Sequence, residues 1–347
     1  MTIRILALLL IVSFTNFAQN KPEKHFKNLR QLTFGGDNAE AYFSPNGKMI
    51  AYQSNNPKWN LSCDQIFMMD LKQGLKNPDE CPPLVSTGKG RTTCSYFMPD
   101  NKHILFGSTH EGGEECPPAP ESGGKYLWAI YDSFDIYVSD LKGNIVKKLT
   151  DQPGYDAEAV VSPKGDKIVF TSTRNGDLDL YTMDIDGSNV KQVTFGLGYD
   201  GGAFFSPDGK QLVFRSSRPQ TEEEVKEYKD YLSQGLVAPT NMEIYTCDID
   251  GTNLKKITNL GKANWAPYFH PSGKKIMFSS NHHSDRGYDF QLYMINTDGT
   301  GLTRITENSY FNAFPMFSPD GKRLIFSSNR DNGGTRDTNL FIADWVD

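Results

Sequence analysis

Beyond its first twenty residues the chain has no apolar run of the ~18 residues that would cross a bilayer, so the mature chain is expected to carry no membrane span. Excess positive charge is also missing. With 36 Lys+Arg against 42 Asp+Glu the formal net charge is −6, which argues against a nucleic-acid partner. No Gly-x-Ser-x-Gly elbow, no Cys-x-x-Cys pair and no Asp-x-Asp-x-Asp-Gly calcium loop occurs. These absences remove the most legible hydrolase, zinc and calcium signatures. Cysteine is sparse, at five residues. Gly (31), Pro (19), Tyr (16) and Phe (22) are plentiful instead, a mixture of turn and strand formers.

The N-terminus reads as a targeting segment. Arg4 precedes the apolar run Ile5 to Val12, and Ala18 offers a small residue for cleavage. Residues 1–18 are therefore expected to be a secretory signal peptide, with a membrane anchor as the rival reading. Export would place the protein in a periplasm or outside the cell, where disulfides form.

Self-comparison exposes six copies of one unit. A turn followed by an apolar strand recurs as Ser44-Pro-Asn-Gly-Lys, Met98-Pro-Asp-Asn-Lys, Ser162-Pro-Lys-Gly-Asp, Ser206-Pro-Asp-Gly-Lys, His270-Pro-Ser-Gly-Lys and Ser318-Pro-Asp-Gly-Lys. Pro presets the first corner, and Gly or Asn tolerates positive φ at the fourth position. Downstream come strands such as Asp179-Leu-Tyr-Thr-Met-Asp and Glu243-Ile-Tyr-Thr-Cys-Asp. A third element ends in Leu-Thr or a close variant, as at Leu32-Thr33 and Leu149-Thr150. Each unit thus predicts strands a, b, c and d. Six such sheets, stacked radially, bury one another's faces, which predicts an all-β, six-bladed β-propeller of four-stranded antiparallel blades over residues 24–347. The last copy stops after c, while a surplus d strand, Leu29–Thr33, precedes the first a strand. It is expected to complete the sixth blade beside Asn339–Asp344 and so close the ring.

These repeats resemble the PD40 repeats of TolB-like propellers, over roughly residues 24–347. The Ser-Pro-Asp-Gly-Lys turn with its Leu-Thr and Ile-Tyr-x-x-Asp partners carries the resemblance. It implies the propeller fold without choosing a function. TolB has an extra N-terminal domain that recruits envelope partners, and here only the targeting segment and a few polar residues precede the first d strand. Similar repeats also occur in carbohydrate-active lyases and beside peptidases.

The b–c connections are enlarged at Thr109–Phe134, Pro219–Met242 and Asn281–Phe290. The second of these predicts a short helix after Thr221, with an acidic first turn and a stripe of Val225, Tyr228, Tyr231 and Leu232 packed on the rim. Because b–c and d–a loops share one face, that face is the candidate binding surface. Residues equivalent by the repeat form rings at the channel mouth. Counting back from each turn, they give Glu40, Arg91, Tyr155, Asp156, Glu158, Tyr199, Asp200, Asn264, Trp265, Tyr310 and Asn312 as candidate ligand-binding residues. Acids, amides and aromatics together suit a sugar or peptide. The competing reading is that the Asp and Asn members only cap the turns entering each a strand.

Two functions follow as expectations. The first is an exported, monomeric module binding a carbohydrate, peptide or envelope protein. The second is a polysaccharide lyase or hydrolase with Glu40, Asp156, Glu158 and Asp200 as acid/base groups, Arg91 neutralising a substrate carboxylate, and room for a divalent cation. Catalytic and metal-ligating residues are not assigned. Among Cys63, Cys81, Cys94 and Cys116 a disulfide within the set 63, 94 and 116 is expected, with Cys63–Cys94 slightly favoured, zinc a lesser alternative, and Cys247 a buried thiol.

Overall fold

The computed structural model describes residues 21–121 and 123–347. The expected signal peptide lies outside the described residues. Six antiparallel sheets are arranged as predicted. The a strands are Asp37–Phe43, Thr92–Phe97, Asp156–Val161, Asp200–Phe205, Asn264–Phe269 and Asn312–Phe317. Each pairs with its b strand and b with c, while neighbouring a strands pack around a central channel. Blades 2 to 6 have four strands. Blade 1 has three, its d strand reduced to one bridge between Phe67 and Leu84.

Ring closure is realised as the repeat count requires, with a shifted register. The closing strand is Phe26–Gln31, earlier than the expected Leu29–Thr33, and it pairs Phe26 with Trp345 and Gln31 with Phe341. The Leu32 amide continues the ladder to the Leu340 carbonyl at 2.8 Å. Upstream, Glu23 receives Arg330 at 2.9 Å and the Glu307 amide at 2.9 Å, so the arm is fastened beyond its strand.

The turn motif explains itself chemically. In blade 4 Ser206 Oγ donates to Asp208 Oδ1 at 2.6 Å and accepts from the Gln211 amide at 2.9 Å, while Asp208 Oδ1 accepts from the Lys210 amide at 3.1 Å. Gly209 takes φ 69°, a conformation open to glycine. The Leu-Thr motif is equally local. Thr194 Oγ1 donates to Asp179 Oδ1 at 3.1 Å and accepts from the Leu180 amide at 2.9 Å, locking d to the start of c. The same pair of bonds recurs at Thr33/Asn339, Thr150/Asp135 and Thr306/Gln291.

An aromatic plug divides the channel. Tyr42 lies 5.7 Å from both Tyr96 and Phe204, and Phe204 lies 5.1 Å from Tyr268. Beyond it, at the a–b turns, a cavity of about 410 Å³ is walled by the six motif prolines, from Pro45 to Pro319.

Candidate functional site at the roofed channel mouth

Every a strand carries a bulge four residues before its turn. Glu40, Cys94, Glu158, Gly202, Ala266 and Phe314 all have φ between 47° and 58°. The register slips there in each a–b pair. The bulge breaks the strict alternation of the strand and brings all six residues to the wall of one cavity of about 530 Å³. Five side chains held in a region unfavourable to all but glycine represent stored strain, which persists where surrounding packing overdetermines it.

Blade 4 departs from the ring in a coupled way. Gly202 leaves its place empty, and Arg215 from the b strand fills it: a Cβ on residue 202 would stand 2.0 Å from Arg215 Nη1. The guanidinium pairs with Glu158 and donates to the Tyr199 hydroxyl through Nη2. It also lies 5.1 Å from the Trp128 ring centroid and 4.9 Å from that of Tyr199. Glu158 further accepts from Tyr199 OH at 2.9 Å, Thr171 Oγ1 at 2.7 Å and the Gly202 amide at 2.8 Å. Glu158 is 8% exposed and Arg215 7%. Burial alone would raise the Glu158 pKa, but Arg215 and these donors outweigh it and hold the carboxyl below its ordinary value. Glu40 goes the other way. Burial pushes it up and outweighs the hydrogen bond with Cys94; the Glu158 charge adds to the rise, and Arg215 and Tyr42 oppose it more weakly.

A roof covers part of the mouth. The blade 2 insertion contributes Trp128–Ala129, which pairs antiparallel with Leu236–Val237 of the blade 4 insertion. The predicted helix, α1, spans Glu222–Leu232 behind a Thr221/Glu224 capping box. Its Tyr228 is buried in one apolar cluster with Leu178, Val237 and Met242, and Lys125 ties the roof to Glu227 at 2.9 Å. Trp128 faces Trp265 at 5.3 Å, Tyr126 faces Trp265 at 6.2 Å, and Trp265 stacks on Phe290 at 4.2 Å.

The disulfide joins Cys63 to Cys116, with Cα atoms 5.3 Å apart. The bond within the expected trio is present, but the favoured Cys63–Cys94 pairing is corrected: Cys94 occupies the bulge and faces the cavity, where its burial raises the thiol pKa. The same bond removes the zinc alternative that used all three thiols. Cys247 is a fully buried free thiol. Beside the disulfide, Arg91 pairs with Asp64 and reaches Cys116 Sγ at 3.6 Å.

Ten of the eleven sequence-predicted site residues fall into two groups. Glu40, Arg91, Tyr155, Glu158, Tyr199 and Trp265 line the cavity together. Asp156, Asp200, Asn264 and Asn312 are turned into the sheet and buried. Arg174 holds Asp156 at 2.9 Å, Arg218 holds Asp200 at 2.7 Å, Asn264 bonds the Met242 carbonyl at 2.8 Å, and Asn312 bonds Gln291 at 2.9 Å. The two arginines tie their a strands to the end of the b strand in the same blade, whereas Asn264 and Asn312 join their a strands to the preceding blade. Tyr310 is 57% exposed outside the cavity, beneath Arg286 at 5.6 Å. Sequence reasoning missed Arg215. The clue was available: nine residues after each turn start the other blades carry Gln53, Gly107, Thr171, Ser279 and Ser327, and blade 4 alone carries a charge. Among the described residues no group of three or more His, Cys, Asp or Glu side chains is placed to hold a metal ion. None of the described helices is long and apolar enough to cross a membrane.

The fold and its roofed cavity define a six-bladed propeller with a ligand-sized chamber at one end of its axis. The family model described as the TolB β-propeller domain, PD40, matches residues 127–234 and 237–337, and the chain belongs to this family. Among solved structures it is similar to a TolB candidate from Agrobacterium tumefaciens, at 19% identity and a TM-score of 0.56 over 90% of this chain and 91% of that one. TolB from Acinetobacter baumannii matches at 21% identity and 0.58, over 87% of this chain and 64% of that one. An oligogalacturonate lyase in complex with manganese matches at 14% identity and 0.53, over 92% and 93%. At these identities the likeness concerns the fold alone.

Proposed function

We propose that the protein is an exported binding module that captures a carbohydrate, a peptide or a segment of an envelope protein in the roofed channel mouth. One observation carries this reading: the chamber of about 530 Å³ has walls of Trp128, Trp265, Tyr126 and Phe311 above a floor of polar groups already engaged with one another. That is the composition of a site that orients a ligand by stacking and a few hydrogen bonds. The Cys63–Cys116 disulfide supports an oxidising compartment, periplasmic or extracellular. The cavity-lining residues Glu40, Arg91, Tyr155, Glu158, Tyr199 and Trp265 are the proposed contacts, with Trp128 and Arg215 added.

A second reading, a carbohydrate-active enzyme, is favoured by one specific feature. Glu40 and Glu158 face one channel with their protonation biased in opposite directions, as an acid and a base require. Titrating oligosaccharides and short peptides while following tryptophan emission, with chromatography of the mixtures, separates the two. Binding without product supports the module. Product lost in Glu40→Gln supports the enzyme. Undiminished binding by Trp128→Ala would remove the chamber from either role.

A further inference from the structure

The cations of the chamber are not free. Arg215 is committed to Glu158 within the floor, and Arg91 to Asp64 at the half-buried rim. Each pair sets both signs of charge side by side, so a ligand charge of either sign meets a like charge as closely as an opposite one. Its desolvation would then lack an unpaired partner to offset it. Two acids of the lining lie outside these pairs: Asp37, which is solvent-exposed, where screening weakens it, and Glu40, which accepts from Tyr42 OH at 3.3 Å and which burial biases toward its uncharged form. Two donors are nevertheless unused. Nε of Arg215 and Nε of Arg91 are both buried and reach no acceptor. A buried N–H without an acceptor is costly and favours a ligand oxygen that supplies one. Trp128 lies 5.1 Å from the Arg215 guanidinium, and the indoles of Trp128 and Trp265 line the same chamber, apolar surface that suits the C–H face of a pyranose ring.

We infer that the ligand class of this chamber is the uncharged saccharide, its ring against Trp128 and Trp265 and a hydroxyl oxygen accepting from Arg215 Nε. This rests on the binding-module reading and narrows it. Charge selectivity follows from the ion pairs, and the rim pair is the place to alter it because Arg91 is accessible enough to tolerate a missing partner. Asp64→Asn leaves the rim cationic and turns preference toward acidic sugars. Arg91→Met leaves it anionic and turns preference toward amino sugars.

The test uses the mature chain with oligosaccharides of one length in three charge classes: neutral glucans, oligogalacturonates and chitosan oligomers, titrated calorimetrically at pH 7 beside a short-peptide set. The expected result is neutral binding at least about tenfold tighter than either charged class. In Asp64→Asn the acidic-to-neutral affinity ratio should rise by about fivefold or more, with the converse for Arg91→Met. A charged class binding as tightly as the neutral one overturns this inference and leaves the binding module standing. Peptide binding with no saccharide binding does the same. No ligand of any class binding overturns both. The wild-type panel decides even if a variant fails to fold.

Discussion

The two ends of the channel are built from the same six a strands and obey different rules. At the a–b end six prolines repeat around a cavity of about 410 Å³, and the turns at Ser44, Ser206 and Ser318 close by the same bond from serine to a carboxylate or amide two residues on. At the other end the bulge ring reads Glu, Cys, Glu, Gly, Ala, Phe, one member is replaced by an arginine from the next strand, and two insertions roof the opening. Symmetry marks what the fold needs six times over. Chemistry collects where the repeat departs from itself, since one ligand on the axis requires an asymmetric surround.

The sharpest way to break this contrast is at Arg215. Arg215→Met strands Glu158 as a buried charge and is expected to cost about 3–5 kcal/mol in denaturant unfolding, with much of it recovered in the double variant with Glu158→Gln. Recovery of nothing would mean that Arg215 acts through packing on Trp128 and Tyr199. Next comes the roof tether. Cys63→Ser with Cys116→Ser opens a loop spanning a sequence separation of 53 residues and is expected to lose about 2–4 kcal/mol, together with ligand affinity. Stability lost with affinity intact would detach the roof from binding.

Asp179, in the polar belt below the mouth, gives a smaller effect with a definite sign. Burial and the Asp200 charge raise its pKa to about 7, above the usual 3.8. Between about pH 4 and pH 7 the folded chain keeps a proton that the unfolded chain has released, so stability declines as pH rises through that window. Asp179→Asn, an amide like Gln65, Gln291 and Asn339 at the equivalent place, should flatten this slope and gain on the order of 1–2 kcal/mol at pH 8. Urea midpoints at pH 4.5 and pH 8 measure it, and an unchanged slope refutes the assignment. Smallest of all, Pro207→Ala at the symmetric end should cost less than about 1 kcal/mol and leave ligand affinity unchanged. Affinity loss there would erase the functional distinction between the ends.

How much of this was legible follows the same division. The turn and the Leu-Thr lock recur in the sequence because backbone hydrogen bonding demands similar groups in each blade, and the surplus d strand marks the ring closure. Self-comparison therefore found them. Counting back from each turn also picked out Glu40 and Glu158, but as members of a ring and not as bulge residues. What it could not weigh was the direction of the neighbouring polar ring: Asp156 and Asp200 are claimed by Arg174 and Arg218, cations 18 residues away in sequence that only the a–b register brings close. The disulfide was expected within the right trio, but the favoured pairing failed in the same manner, since Cys94 looks adjacent to Cys63 until the bulge turns it inward. Trp128 meets Trp265 only through an insertion whose path has no repeat to copy.

The closing strand has one more consequence. Because Phe26–Gln31 lies against Asn339–Trp345, the first described strand waits for a partner from the last seven-residue strand of the chain. During synthesis the nascent protein is an unfinished arc with a bare strand edge, and it becomes a circle only after Asn339–Trp345 has been made. A chain that must be threaded through a membrane before folding would gain from that delay, since the clasp cannot snap shut on the wrong side while its second half is still being made.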